Sequence, residues 1–462
     1  STRKESSAAS DVYKRQVRRA VRSEVHSAAA RSAHGCGWSY SEHIAFSYTL
    51  FNNGAVQDLI EALPLPPYAH MASIYPVLRD CLHGTTPPLL ALPPNPSEAE
   101  RLHRHFVGHP SPGSALIMAT SGTTGTPKGA RLSAAALRAA IDSTHAALGG
   151  PGRWLLAVPA HHIIGMQVLL RSLHAGYDPV TIPIENGFHL ADLPAAIAEL
   201  RDGSTTSHRR HYASLVPSQL DTLYHGLHSS HLPTRRIAEE ALASCSHLDA
   251  ILSGGAPLPD HINTFLTRAG LTIVRGYGSS EVAGGVLFNG RPGPATQLRI
   301  DPTTHRVSIS GATLADGYVG KATHPDWTYD DGQRWYHTHD LGHWDDAGRL
   351  IIDGRLDEAI NSGGIIVIPQ PLEAALYTHP GVKECAVIGL PHPHFGQCVT
   401  AVIVPTNATT APTLEELNAL LEPTFGHYSI PKNVIYLPQL PHRSNGKLNR
   451  TQLVTLVTQI HH

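Results

Sequence analysis

The stretch Met118-Ala-Thr-Ser-Gly-Thr-Thr-Gly-Thr-Pro-Lys-Gly129 decides the reading of this chain of 462 residues. It follows an apolar run, Ala115–Ala119, that reads as a buried strand, and it precedes a helical pattern over Ser133–Leu148. Glycines free the backbone to turn tightly and to expose N–H groups. A run of hydroxyls and one lysine add further donors, which is chemistry suited to a polyphosphate. It is not a Walker A loop, because Pro127 stands where G-K-[ST] needs glycine and Gly129 follows the lysine.

Working outward, Trp154–Val158, Tyr212–Val216 and Ala250–Ser253 repeat the buried-strand pattern, with helical patterns such as Gly165–Ala175 between them. Strands alternating with helices predict an α/β fold with a largely parallel sheet. After Leu298 the texture changes to short alternating strands, Arg306–Ser310 and Arg349–Asp353, which predict a β-rich subdomain. A further break falls at Asp353–Asp357. Beyond it Leu372–Thr378 and Leu414–Leu421 read as helices and Glu384–Leu390 and Val399–Val404 as strands, a small α+β unit. The expected organisation is a leader over 1–31, a large domain over 32–353, a hinge at 354–357 and a small mobile C-terminal domain over 358–462. The leader, polar and rich in Ser, Ala and Arg, lacks the apolar segment of a secretory signal and is expected to be disordered or non-native.

Composition narrows the function. Lys plus Arg (35) nearly balance Asp plus Glu (37), so the clustered positive charge that drives nucleic-acid binding is missing. No apolar run reaches the ~18 residues of a membrane span. The 5 cysteines are scattered without a C-x-x-C pair, which argues against a disulfide framework or zinc site and for a reducing, cytoplasmic setting. The 32 histidines invite a metal reading, yet His161-His162, His103/His105 and His392/His394 match no zinc signature.

Several further motifs occur in order. They are Ser253-Gly-Gly-Ala-Pro257, Gly276-Tyr-Gly-Ser-Ser-Glu281, Thr338-His-Asp340, Gly354-Arg-Leu-Asp357, Ile360-Asn-Ser-Gly-Gly364 and Leu440-Pro-His-Arg-Ser-Asn-Gly-Lys-Leu-Asn-Arg450. With the first stretch they make the chain, from about residue 45 to the end, resemble the adenylate-forming superfamily of acyl-CoA synthetases, adenylation domains and luciferases. The resemblance implies an ATP/AMP site at Thr120, Ser121, Gly122, Thr123, Thr124, Lys128, Gly255, Ala256, Tyr277, Gly278, Asp340 and Arg355. In it Tyr277 packs on adenine, Asp340 takes the ribose hydroxyls, and Glu281 with Thr124 holds Mg2+. Lys447 is the adenylation lysine, bridging charges that meet only in the transition state. Asp357 is the hinge, and Gly363 and Gly364 serve the thioester step with coenzyme A. His339 departs from the usual glycine, Ser280 from threonine, Asn361 from lysine and Pro371 from glutamate.

The acyl side is less constrained. Val158-Pro-Ala-His-His-Ile-Ile-Gly-Met-Gln167 is similar to the corresponding segment of o-succinylbenzoate–CoA ligases of menaquinone biosynthesis. That resemblance implies His162 beside the reacting carboxylate, Gly284 and Gly285 as room for an aromatic acid, and Ser218 and Gln219 as donors to it. The resulting expectation is an ATP-dependent, AMP-forming ligase that joins 2-succinylbenzoate to coenzyme A. The alternatives are a ligase for another aryl or acyl acid, an enzyme loading a carrier protein, and a non-catalytic nucleotide-binding relative. The partners expected are small molecules; a homo-oligomer is compatible with the sequence.

Overall fold

The computed structural model describes residues 58–120, 127–202, 209–321, 323–442 and 448–460. Among these residues, four sheets and eleven α-helices follow in chain order. The first sheet has strands β1 (Glu61–Pro64), β2 (Leu89–Leu92), β3 (Leu116–Thr120) and β4 (Lys128–Leu132), in that order, parallel until the antiparallel pairing of β3 with β4. Helices α1 (Tyr75–His83) and α2 (Pro96–Phe106) lie between its strands in sequence, and α3 (Ala134–Leu148) follows β4. Asn95 caps α2 through the amide of Glu98, and Ser133 caps α3 through that of Ala136 at 3.1 Å.

The second sheet is built from β5 (Gly152–Leu156), β6 (Val180–Thr181), β7 (Arg210–Ser214), β8 (Ala250–Ser253), β9 (Ile273–Ser279), β10 (Gly284–Phe288) and β11 (Arg291–Pro292). Its spatial order is β11-β10-β9-β8-β7-β5-β6. The strands from β6 to β9 are parallel, as the sequence predicts, and β10 and β11 add an antiparallel edge. Intervening helices are α4 (Ile163–His174), α5 (Leu193–Arg201), α6 (Pro217–Leu227), α7 (Leu232–Cys245) and α8 (Asp260–Arg268). The central strands are apolar on both faces, and Leu155, Ala213 and Ile251 join the helix residues Ile197, Leu200, Leu220, Ala241 and Leu266 in one core.

The third sheet is antiparallel: β12 (Thr296–Ile300), β13 (Arg306–Gly311), β14 (Trp327–Asp330), β15 (Gln333–Trp344) and β16 (Leu350–Arg355). The fourth contains β17 (Ile360–Ser362), β18 (Ile365–Val367), β19 (Val382–His392), β20 (Gly396–Pro405) and β21 (Asn433–Tyr436). Helices α9 (Pro369–Leu376), α10 (Leu414–Phe425) and α11 (Arg450–Ile460) complete this last region, which carries two apolar cores of its own. The fold class is therefore the expected α/β arrangement followed by a smaller α+β region.

The glycine-rich stretch follows a strand and precedes the helix capped by Ser133, as expected, and the structure adds one strand between them. Residues 128–132 form β4, antiparallel to β3, with Thr120 and Lys128 as direct partners. The helix begins only after Ser133. Among the described residues, no helix is long and apolar enough to cross a membrane. Cys81, Cys245, Cys385 and Cys398 are buried free thiols.

Candidate active site

Lys128 opens β4, and its Nζ stands 5.2 Å from the ring centre of Tyr318. Tyr318 in turn donates its hydroxyl to Glu281 Oε1 at 3.0 Å. Burial first, and then the Glu281 carboxylate, push the Tyr318 hydroxyl well above its ordinary pKa, so it stays a donor. Glu281 is buried in the single turn Ser280–Val282 that joins β9 to β10. That turn is tight. Ala283 is left-handed (φ 56°), and a Cβ on Gly278 would overlap the backbone of Gly284, so only glycine fits at Gly278. The sequence motif around Gly278 is thus explained by a close approach of main chains that carries Glu281 inward. Ser121, Gly122, Thr123 and Thr124 lie outside the described residues; Thr120 is placed, donating its hydroxyl to the Lys128 carbonyl at 3.4 Å.

A second group converges on Asp340. Strands β15 and β16 pair with Asp340 opposite Arg355. Tyr277, on β9, donates its hydroxyl to Asp340 Oδ2 at 2.6 Å, and Arg355 Nη1 donates to Oδ1 at 3.2 Å. The Asp340 amide is fixed by Thr338 Oγ1 at 3.0 Å. Arg355 also forms a two-pronged pair with Asp357, at 2.8 Å for each bond. Burial alone would lower the Arg355 pKa, but Asp357 and Asp340 outweigh it and raise it. Burial likewise opposes ionisation of Asp357, and the Arg355 guanidinium overrides it, holding that carboxyl below its usual range. Tyr277 is pushed well above its ordinary value by burial and by Asp340. His339 does not break the strand: its ring reaches Asp326 at 3.6 Å, and Asp340 keeps its position.

Gly255 (φ 89°) and Ala256 follow the end of β8, where a Cβ on the neighbouring Gly254 would meet the Gly276 carbonyl at 2.8 Å. The Ser253–Pro257 segment and the Gly276–Glu281 segment are therefore adjacent in space. Gly363 (φ 63°) and Gly364 (φ 87°) form the turn between β17 and β18, tied down by the Phe395 carbonyl at 2.8 Å and Asn361 Oδ1 at 3.1 Å. Lys447 lies outside the described residues; Arg450, three positions on, begins α11.

On the acyl side, His162 precedes α4 in an extended conformation, its ring 4.1 Å from that of His161. Gly165 has no side chain because a Cβ would collide with the Pro159 carbonyl, so the Pro159–His162 bend is packed directly onto the helix. Burial lowers the His161 pKa to about 4. Gln219 is engaged at both ends of its amide: Nε2 donates to the Ala157 carbonyl at 2.7 Å and Oε1 accepts from the Val216 amide at 2.9 Å. Ser218 beside it is exposed.

Gly284 and Gly285 start β10, and behind Gly284 stand Gln167 and Arg171 of α4. Gln167 Nε2 donates to the Ala283 carbonyl at 2.6 Å. Arg171 is 2% exposed and lies over the Trp154 ring at 5.1 Å. Its Nε has no hydrogen-bond partner, and burial lowers its pKa to about 9. Ser143 Oγ, His145 Nε2 and Gln167 Oε1 are other buried atoms without a partner. Sequence reasoning passed over Arg171, although a signal was present. It sits four residues after Gln167, on one face of a helix that has no other Lys, Arg, Asp or Glu.

The chain is similar to known proteins along most of its length. The AMP-binding enzyme family matches residues 70–316, and the AMP-binding enzyme C-terminal domain matches residues 371–447. A probable 2-succinylbenzoate–CoA ligase of Mycobacterium tuberculosis is 42% identical over 404 residues, covering 86% of this chain and 98% of that protein. A feruloyl-CoA synthase of an Amycolatopsis species is 30% identical over 72% of this chain and 68% of its own length. Among solved structures, the o-succinylbenzoate CoA synthetase of Bacillus subtilis with its acyl-adenylate intermediate has the same fold, with a TM-score of 0.65 and 21% identity over 88% of this chain and 90% of that one. With the strand-borne Asp340 and Arg355, the buried Glu281 and the lysine hairpin inside the matched span or beside it, the chain belongs to the AMP-binding enzyme family.

Proposed function

We propose that this protein activates a carboxylic acid with ATP and transfers the acyl group to coenzyme A, and that the acid is 2-succinylbenzoate. In the first step a carboxylate oxygen attacks the α-phosphorus, forming acyl-adenylate and releasing pyrophosphate. In the second the coenzyme A thiol attacks the acyl carbon, forming the thioester and releasing AMP. Asp340 takes the ribose hydroxyls, Tyr277 packs on the adenine, and Lys128 and Lys447 face the phosphates. His162 stands at the reacting carboxylate. The residues fit a magnesium ion that is held mainly by substrate: one buried carboxylate, Glu281, is present, and the described residues hold no cluster of three or more His, Cys, Asp or Glu side chains that could cage a metal. Bound there, Mg2+ would neutralise phosphate charge.

The observation that carries the choice of acid is Arg171. A buried guanidinium with an unpartnered Nε is costly unless an anion meets it. The guanidinium stands directly behind Gly284, the first residue of the strand that follows Glu281, where a Cβ would lie 3.7 Å from Arg171 Nη2 and 3.1 Å from Gln167 Cγ. A second carboxylate on an aromatic acid supplies the missing charge. The 42% identical ligase supports the same reading. We further propose that residues 358–462 rotate about Asp357 between the two steps, presenting Lys447 for the first and the Gly363–Gly364 turn for the second.

The test is pyrophosphate release across a panel of aryl mono- and dicarboxylates, each with and without coenzyme A. The reading expects release with 2-succinylbenzoate and thioester only when coenzyme A is present. A clear preference for a monocarboxylate such as ferulate would replace the substrate assignment while leaving the ligase chemistry intact.

A further inference from the structure

Immediately after Arg355 the chain makes the short turn Leu356–Glu358 and enters the fourth sheet. Glu358 is gripped from two directions. Its Oε2 accepts from Gln370 Nε2 at 2.5 Å and from Arg450 Nε at 2.8 Å. Arg450 continues inward, with Nη2 on both oxygens of Glu373 at 2.7 and 2.8 Å and Nη1 on the Val387 carbonyl at 2.9 Å. Glu373 also accepts the Val387 amide at 2.7 Å. All these groups lie beyond Asp357 in the chain, so the bonds move with the 358–462 region as one block.

Gln370 has a second arm that reaches the other way. Its Oε1 accepts the Arg355 amide at 3.4 Å. Gln370 Oε1 and Ile368 Cγ2 occupy the space where a Cβ on Gly354 would sit. Gly354 and Arg355 end β16 and precede the pivot. One side chain thus holds tightly to one side of Asp357 and rests lightly on the other. A rotation about Asp357 must break the bond to the Arg355 amide, whereas the bond to Glu358 joins two residues of the same rotating block and is retained.

We infer that Gln370 is a positioning residue that sets one stop of the small-domain rotation, seated with Ile368 against the bare face of Gly354. The inference rests on the two-step reading above, which supplies the rotation. A light seat suits a contact that is made and broken in every turnover, since a strong one would trap the enzyme in one orientation. Because the seat supports only one orientation, weakening it changes the balance between the half-reactions, while the side-chain bonds of Arg355 to Asp340 and Asp357 are kept.

Two variants test this. Gln370→Met keeps the length of the side chain and removes both bonds, and Gly354→Ala keeps every polar group and places a methyl in the seat. Pyrophosphate exchange reads the first half-reaction, thioester formation from supplied acyl-adenylate reads the second, and amide hydrogen exchange over 354–358 reads the seat itself. Both variants are expected to change the ratio of the two rates by at least about tenfold, in the same direction, with faster exchange at the hinge. A rate ratio within about twofold of wild type, opposite shifts in the two variants, or unchanged hinge exchange overturns the inference. Should Gly354→Ala fail to fold, Gln370→Met alone decides by the same criteria. Should the wild type exchange no pyrophosphate with any acid, the functional reading falls, and hinge exchange in Gln370→Met still decides whether the seat exists.

Discussion

Replacing Arg171 with methionine separates its two effects, on the empty enzyme and on the acid. Burial lowers the Arg171 pKa from 12.5 to about 9, so a charge is held there at neutral pH against its environment. At 1.36 kcal/mol per pKa unit that is a burden of roughly 5 kcal/mol. The contact with the Trp154 ring at 5.1 Å offsets about 1–2 kcal/mol of it. Methionine fills a similar volume without the charge. The net expectation is a variant about 3 kcal/mol more stable, which over the roughly 300 residues of the large domain is a rise of about 5 °C in Tm. For an acid with a second carboxylate the opposite holds. Its buried partner is gone, and a broken buried pair costs about 3–5 kcal/mol, or roughly a hundredfold to several thousandfold in kcat/KM. Monocarboxylic aryl acids should lose little. Thermal unfolding and pyrophosphate release with matched mono- and dicarboxylates make the measurement. A lowered Tm together with equal losses for both acids would refute the assignment of Arg171 to the second carboxylate.

Other outcomes follow from the same geometry. Lys447→Ala should reduce adenylation by at least about a hundredfold and spare thioester formation from supplied acyl-adenylate; equal losses in both would remove Lys447 from the first step. Glu281→Gln should raise the magnesium concentration needed for half-maximal pyrophosphate release, because a charged oxygen is lost, and an unchanged magnesium titration would make Glu281 purely structural. Asp357→Pro should leave pyrophosphate exchange in place while thioester formation drops steeply, since proline fixes φ at the pivot; parallel losses would count against the rotation. His145 is buried, and burial, then Arg171 and His174, lower its pKa from 6.5 to about 4. Its contribution to stability is therefore complete above pH 6.5 and lost as pH falls toward 4, up to about 3 kcal/mol. Urea unfolding of His145→Leu should show a flatter pH dependence across that window, and a curve parallel to wild type would assign the acid sensitivity elsewhere.

The parallel strands were readable because buried strands are apolar throughout, and Ala250–Ser253 was placed to the residue. The hairpin at Lys128 was missed for a related reason. Residues 128–132 alternate too briefly to register as a strand, and the strong helical pattern after Ser133 masks them. Glu281, Asp340 and Arg355 were legible as members of spaced motifs. Tyr318 was not, because its role depends on a contact across 37 positions that no local pattern encodes. Gln219 shows the limit from the other side. Residue type made it a plausible donor to the acid, whereas its hydrogen bonds show the amide holding the start of α6 to the Ala157 carbonyl. Arg171 needed only the question of why a charge interrupts an apolar helix.

The bond from Tyr277 to Asp340 has a thermodynamic consequence for nucleotide entry. Both oxygens of that carboxylate already accept from the protein, Tyr277 on one and Arg355 on the other. In the role proposed for Asp340, a ribose diol would meet a carboxylate that already holds these two donors, and it would either use the lone pairs left on each oxygen or displace its internal rival, the Tyr277 hydroxyl. Where it displaces that hydroxyl, the affinity for ATP would fall short of the new contact by about 1.5–3 kcal/mol, the worth of one hydrogen bond to a charged group. The same Tyr277 bond would keep the carboxylate satisfied in the empty site, and regaining it would favour release of AMP. Phenylalanine at this position would retain the ring and remove the rival, giving tighter nucleotide binding and slower release of product.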